Sequence, residues 1–291
     1  MKLALFDDNR LGVVRPAAEG NAVVDVTGAL PWPHDPDPLT AGWWRALCRD
    51  FTKVSPALAS AALEGIPRSV DDVELRAPVL SPSKIIAAAS NYGEHVTEMH
   101  LVQERTLGRV EDWMMNFDVF LKAPSSIVGP GSQVVLPPEL VAAGHEIHHE
   151  SELVVVIGAG GKDIPASRAM DAVLGFTAGL DITVRSAADR SRRKSYDSFS
   201  PLGPWLATRD EVGESGLHIL LTCNGAVRQS VNTADMLVPV PEIVAYASKI
   251  MTLNPGDVIF TGAPPGVGPI AAGEELRISI TKIGAMTVTV R

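Results

Sequence analysis

The stretch "HEIHHESELVVVIG", residues 145–158, concentrates three histidines and three glutamates ahead of a run of valines. His145-Glu146-x-x-His149 has the letters of a zinc metalloprotease helix, in which two histidines one turn apart hold the metal and the glutamate is the base. The residues that follow argue against that helix. Three consecutive valines and an isoleucine favour a strand. Glu152 stands where the extended zinc signature has glycine, and no Glu occurs between 152 and 211 to act as a third ligand. On a strand the side chains alternate, so His148, Glu150 and Glu152 share one face while His149 and Ser151 share the other. Two carboxylates about 7 Å apart on one face raise each other's pKa unless a cation lies between them. Because the run leads into "LVVVIG", a central-looking strand where unpaired carboxylates are expensive, a metal site is favoured, with a solvated strand face as the alternative. All-oxygen ligands suit a hard ion, Mg²⁺ with Ca²⁺ or Mn²⁺ as substitutes, better than zinc.

Asp181 is a third carboxylate, set in the otherwise apolar "GFTAGLDITV". Burial there makes it a candidate to complete a metal triad; a turn or capping aspartate is the alternative. In "SNYGEHVTEMH" a helix starting near Asn91, with Glu94 three residues on as in a capping box, puts His95 and Glu98 at i and i+3 on one face. A carboxylate that fixes the imidazole tautomer is the standard way to make histidine a general base. A surface His/Glu pair on a helix is the plainer reading.

These residues must be positioned by a β-rich chain. "KLALF", "GVVRP" and "AVVDVTG" read as three short strands and "WWRALCRDF" as a short helix, together a small N-terminal α/β domain over residues 1–75. The Pro-containing "LRAPVLSPSKI" marks a boundary, and residues 76–291 form the catalytic domain. In it "KIIAAAS", "SQVVLP", "ELVVVIGAGG", "GLHILLTCNG", "GDVIFTG", "ELRISITKIG" and "AMTVTVR" recur as β-branched runs between Gly/Pro turns. Helices are expected only at "GEHVTEMH", "SRAMDAVLGF" and "VPEIVAYASKIM". Strands without regular helical crossovers predict a mixed α/β, β-rich architecture of mixed or mostly antiparallel sheets rather than a Rossmann sheet or a TIM barrel. "GAGGKD" lacks the Ser/Thr of a phosphate-binding loop and reads as a tight hairpin turn. "GAPPGVGP" carries three prolines, cannot open a helix, and reads as an irregular loop after a strand, where substrate contacts often lie.

Composition narrows the partners. Twenty-five basic against thirty-four acidic residues give a net charge of -9, the wrong sign for gripping phosphate backbones. No basic cluster compensates except "RSRRK", residues 190–194, so nucleic acid is not an expected partner. Cys48 and Cys223, far apart, offer neither a disulfide framework nor metal-ligand spacing and read as core thiols of a reducing compartment. Asp7 and Asp8 interrupt any signal-peptide core, and no apolar run is long enough to span a bilayer. A soluble, cytoplasmic protein is expected.

Seven segments, in order, resemble those of the fumarylacetoacetate hydrolase (FAH) superfamily. "NYGEHVTEM" is similar to its NYxxHxxE segment, "FLKAPSSIVGPG" to its FLKxPSS strand and turn, and "HHESELVVVIG" to its metal strand. "GFTAGLDITVR", "KSYDSFSPLGPW", "CNGAVRQSVNTADM" and "LNPGDVIFTGAPPGVGP" resemble its later motifs, and the likeness runs from about residue 84 to the C-terminus. The resemblance implies the family's β-roll-like mixed sheets, usually in a homodimer, and a divalent metal held by Glu150, Glu152 and Asp181. It further implies His95 and Glu98 as catalytic dyad and Lys194 as active-site lysine. Arg185 would stand near the substrate, with Thr261 and Gly262 in a loop binding its carboxylate.

The activity so implied is Mg²⁺-dependent hydrolysis of a C–C bond in a 2,4-diketo acid of the acylpyruvate or fumarylpyruvate kind. His95 would activate water for attack on the distal carbonyl, and the enolate left behind would be held by the metal and Lys194. Isomerisation or decarboxylation of a related 2-oxo or 2-hydroxy-dienoic diacid uses the same enolate, and an inactive 2-oxo-acid-binding homologue is the alternative from another class. Three departures fall on the substrate side. Ser186-Ala187-Ala188 lacks the family's substrate-contacting glutamine, "DRSRR" replaces a Gly/Trp-containing stretch, and the segment after His95 is longer than in compact members.

Overall fold

The computed structural model describes residues 1–110, 115–213 and 216–291. Its largest sheet has eleven strands. The order begins Pro67–Ser69, Asn21–Asp25, Arg10–Pro16, Lys2–Phe6 and then passes to Ser200–Thr208, Val173–Leu180, Ser151–Ile157, Val258–Phe260, Ile85–Ala89 and Asp118–Lys122. Ile127–Val128 pairs in parallel with Ser200–Thr208 off this path. The N-terminal strands therefore continue the sheet that carries the site, through pairing of Lys2 with Ala207. A five-stranded sheet (Ala226–Asn232, His218–Cys223, Glu275–Ile280, Gly284–Val290, Gln133–Val134) and a three-stranded one (Thr183–Val184, Ile147–His149, Gly268–Pro269) complete the mixed α/β, β-rich fold.

The strand Ser151–Ile157 is central and entirely buried, as its valines foretold. Its neighbours on both sides run antiparallel. Val155, Ile157, Phe176 and Ile259 belong to one core cluster, and Val154, Val156, Leu174 and Phe260 to the cluster under the N-terminal helix. The two faces of one strand thus feed two cores, which is why this strand reads as a continuous apolar run rather than an alternating one. Cys48 and Cys223 are free and buried. No helix among the described residues is long and apolar enough to cross a membrane.

Four local expectations are corrected. The N-terminal helix runs from Gly42 to Glu64, bends where Asp50 leaves helical dihedrals and continues across Pro56, because Val54, Leu58 and Ala62 extend the buried stripe begun by Trp44 and Leu47. "SRAMDAVLGF" is not a helix: Ala166–Ala172 is a 3-10 segment and Val173–Leu180 a strand paired on both edges. "GAGGKD" does not close a tight hairpin; Gly161 instead exchanges backbone hydrogen bonds of 2.9 and 2.8 Å with Leu253. The dyad helix runs from Gly93 to Leu107, and Asn91 does not cap it.

Candidate functional site

Strand register brings the carboxylates together. Ser151 pairs with Leu180, so the next residues outward, Glu150 and Asp181, face each other across the sheet end, and the Asp181 N–H donates to the Glu150 carbonyl at 2.8 Å. Glu152 lies two residues along the same strand on the same side. The three are 4 %, 1 % and 1 % exposed in the order Glu150, Glu152, Asp181, with one oxygen from each within 4.8 Å of the others. His145, Glu146 and His149 belong to a different arrangement. His149 turns to Gln229 (3.3 Å), and Glu146 is bonded to Arg105 and, at 2.8 Å, to His148 Nε2. The zinc-helix letters are an accident of a strand.

Cations crowd the triad. Lys194 Nζ donates to Glu150 (2.7 Å), Asp181 (2.5 Å) and the Thr183 hydroxyl (2.6 Å). Arg185 donates to Glu150 at 2.6 Å. Lys122, from the strand Asp118–Lys122, donates to Asp181 at 2.5 Å and to the Phe199 carbonyl at 2.9 Å. Burial pushes the Glu150 carboxyl up, but Lys194 and Arg185 outweigh it and hold this group well below the usual carboxylate range. Glu152 goes the other way: burial, then the neighbouring Asp181 charge, raises it well above that range, against the pull of the Lys194 charge and a 2.5 Å hydrogen bond from the Gly262 N–H. Burial lowers the Lys122 ammonium despite Asp181 beside it. Three buried carboxylates that repel one another, with oxygen as their only donor atom, fit a hard divalent cation.

The loop after Val258–Phe260 ties this centre to the dyad. Thr261, fully buried, donates its hydroxyl to the Leu153 carbonyl at 2.9 Å; a contact with a substrate carboxylate requires that hydroxyl to turn away. Gly262 holds Glu152, and at φ +104 a Cβ on it would lie 2.6 Å from Asn91 Cβ. The Asn91 side chain donates to the Thr261 carbonyl (2.7 Å) and the Val238 carbonyl (3.0 Å) and accepts from the Val238 N–H (2.7 Å). Further along, Gly266 donates its N–H to Glu98 at 3.1 and 3.2 Å. Glu98 in turn meets His95 Nδ1 at 3.2 Å. His95, 7 % exposed, lines the same cavity as Glu150, Glu152, Arg185 and Lys194.

All nine residues expected from sequence thus lie in or against one site, with Glu98, Asp181, Thr261 and Gly262 outside the cavity lining itself. Reading the letters missed Lys122, Gln103, Phe120, Arg190 and Arg193. The first is the lysine of "FLKAPSS" and the last two belong to "RSRRK", noted only as a basic cluster and a substrate-side departure from the family pattern. Gln103, Phe120, Arg190 and Arg193 line the cavity directly. The long segment after His95 falls partly on residues 111–114, outside the described residues. A larger groove of about 840 Å³ runs past Asp8, Arg45, Arg76 and Ser83, but it contains none of this chemistry.

A buried carboxylate triad that could hold a divalent ion, with an imidazole beside it, sits where strand ends and loops of mixed sheets converge. The chain belongs to the fumarylacetoacetate (FAA) hydrolase C-terminal family, whose model matches residues 84–291. It is 40 % identical, over 100 % of this chain and 99 % of the relative, to a maleylpyruvate hydrolase of Aquipseudomonas alcaligenes. Its fold matches that of a maleylpyruvate hydrolase from Sphingobium sp. SYK-6, solved with manganese(II) and pyruvate, at a TM-score of 0.85 and 36 % identity over 100 % of this chain and 98 % of that one. A 5-carboxymethyl-2-hydroxymuconate delta-isomerase from Mycobacterium smegmatis is similar at a TM-score of 0.73 and 31 % identity, covering 100 % and 98 % of the two chains.

Proposed function

We propose that the protein is a divalent-metal-dependent hydrolase of carbon–carbon bonds in ketonic substances, acting on a 2,4-diketo acid of the acylpyruvate kind. The observation that carries this reading is the buried Glu150, Glu152 and Asp181 cluster, two of whose members, Glu150 and Glu152, line one cavity with His95. Full-length similarity to a maleylpyruvate hydrolase supports it. A divalent ion held by the three carboxylates supplies Lewis-acid polarisation and positive charge for a 2-oxo carboxylate. Mg²⁺ and Mn²⁺ both suit these ligands.

The chain's own residues do the rest. Glu98, itself held by the Gly266 N–H, accepts from His95 Nδ1 and leaves Nε2 free to take a proton from water. The hydroxide so formed adds to the distal carbonyl. The C–C bond then breaks, giving a carboxylate and, after protonation of the enolate, a 2-oxo acid. Lys194 and Arg185 bring fixed positive charge to the place where the negative charge develops. The near-complete burial of these groups keeps the charges in a medium where they act strongly.

Similarity to an isomerase favours one second reading. The same His95 can move a proton on an enolisable diacid without water adding to a carbonyl. Purified protein mixed with acylpyruvates decides: enol absorbance is expected to fall and two fragments to appear. Unchanged mass means isomerisation. Activity that survives EDTA, or is unaltered in Glu150→Ala, overturns the metal-dependent reading.

A further inference from the structure

The segment "CNGAVRQSVNTADM" carries one residue that is unusual for its element. Ala226–Asn232 is an edge strand of the five-stranded sheet, and Gln229 is its one fully buried residue, 1 % exposed. Antiparallel strands with one solvated face normally turn apolar side chains inward. Here the inward position holds an amide, a group that is costly to bury unless its hydrogen bonds are made.

Those bonds are made at both ends of the amide. Gln229 Oε1 accepts from the Ser151 N–H at 2.9 Å and meets His149 Nδ1 at 3.3 Å. Its Nε2 donates to the Pro264 carbonyl at 2.8 Å and to the Pro265 carbonyl at 3.4 Å. A backbone N–H only donates and a carbonyl only accepts, so these partners fix which end of the amide is oxygen. A carboxylate in its place could not donate to the two carbonyls when ionised, and an aliphatic side chain would leave the Ser151 N–H without this acceptor.

The places of those partners give the amide its importance. Ser151 separates Glu150 from Glu152, the two carboxylates that line the cavity. Pro264 and Pro265 lie between Gly262, whose N–H holds Glu152, and Gly266, whose N–H holds Glu98. Proline has no N–H, so backbone hydrogen bonds can tie this pair down only through its carbonyls. A Cβ on Gly266 would lie 3.4 Å from Gln229 Cγ, so the glutamine stem packs beneath that glycine. One side chain thus reaches from the carboxylate strand to the loop that orients the dyad.

We propose that Gln229 is a positioning residue: it sets the separation between the carboxylate triad and the His95–Glu98 dyad by locking Pro264 and Pro265 to the backbone between Glu150 and Glu152. The inference rests on the reading of triad and dyad given above and adds the residue that keeps the two in register. Gln229 stands outside the cavity lining and acts through Gly266 and Glu98.

The test uses the Mn²⁺-loaded full chain. kcat and KM on acetylpyruvate are measured for wild type, Gln229→Met, Glu98→Ala and the double variant. Gln229→Met, close to glutamine in size, is expected to lower kcat about 10- to 100-fold. KM and the Mn²⁺ Kd, the latter read by calorimetry, should each change less than about threefold. In the Glu98→Ala background the link from Gly266 to His95 is already cut, so the same substitution should cost less than about threefold more. Equal factors in the two backgrounds would show a general structural role and overturn the inference, as would a loss of Mn²⁺ affinity as large as the loss of kcat. Gln229→Asn keeps the amide without its reach and serves where the methionine variant does not fold; wild-type turnover in it also overturns the inference.

Amide hydrogen exchange, followed by NMR, probes the same link without turnover. The Gly266 N–H is expected to exchange at least about tenfold faster in Gln229→Met, or in Gln229→Asn, with the amides of Val154, Val155 and Val156 unchanged. If that result is obtained and no acylpyruvate is cleaved, the hydrolytic reading fails and this inference stands. Unchanged exchange at Gly266, or a rise shared by the three valines, overturns it.

Discussion

The Gly266 N–H lies 3.1 Å from Glu98 Oε1, so the loop that begins by holding a candidate metal ligand ends by holding the candidate general base's partner. Gly266 has φ +91, and a Cβ there would lie 2.1 Å from the Arg228 carbonyl oxygen, a backbone atom that cannot swing aside. Gly266→Ala should therefore displace the loop and loosen Glu98 without touching a carboxylate of the triad. We expect kcat to fall about 10- to 100-fold, with metal affinity, read by calorimetry, changing less than about threefold. Loss of metal binding equal to the loss of turnover would show that the loop serves the triad and not the dyad.

Glu152→Gln separates stability from function. Burial and Asp181 hold the Glu152 carboxyl well above its ordinary range, so the ionised triad is strained without a cation. A neutral amide keeps an oxygen to accept from Gly262 and removes one of the repelling charges. In EDTA the variant should melt no lower than the wild type. Addition of Mn²⁺ at one hundred times its Kd should stabilise the wild type by about 2.7 kcal/mol and leave the variant's midpoint unmoved. A variant that melts well below the wild type in EDTA would show that the triad's charges stabilise the metal-free fold.

The carboxylate triad was legible because its signals are local: alternation places Glu150 and Glu152 on one side, and an acid inside "GFTAGLDITV" announces burial. That Asp181 faces Glu150 was not, since it depends on Ser151 pairing with Leu180 across the sheet. Asn91 shows the same limit. Its letters suit a helix cap, yet its partners are Thr261 and Val238, far along the chain, and their unpaired backbone groups outbid the helix end. "RSRRK" stood out only as a basic cluster and a departure on the substrate side, because spacing alone does not reveal that Arg190 and Arg193 turn inward while Arg192 stays exposed. "VLGFTAGL" is a strand because pairing on both edges overrides its ambiguous letters.

Asp257 should prove a stability hinge distant from catalysis. Fully buried, it accepts from the Ser83 hydroxyl at 2.7 Å and the Asn254 N–H at 2.8 Å, and pairs with Lys84 at 2.5 Å. These bonds clamp the starts of Ile85–Ala89 and Val258–Phe260, the parallel pair that leads into Asn91 and Thr261. Asp257→Ala leaves Lys84 and two donors without their acceptor. We expect a loss of about 3 to 5 kcal/mol, read from urea unfolding monitored by tryptophan fluorescence. A loss below about 1 kcal/mol would mean that water replaces the carboxylate at little cost.

His148 gives the fold a calculable sensitivity to acid. Its side chain is 1 % exposed, and burial, with Arg185 adding to it, pushes the imidazole down to about 4 from 6.5. The opposing pull comes from Glu146, which Arg105 and His148 keep ionised down to about pH 2. Between pH 6.5 and 4 the unfolded chain therefore holds a proton on this residue that the folded chain refuses. Stability rises with pH wherever the unfolded state binds more protons, so this group makes the protein less stable as pH falls through that window, by at most about 3 kcal/mol. His148→Gln, which cannot titrate, should lose less stability than the wild type between pH 7 and 4.5. The measurement is the urea midpoint of both proteins in EDTA at each pH; parallel declines would show that His148 is protonated in the folded state.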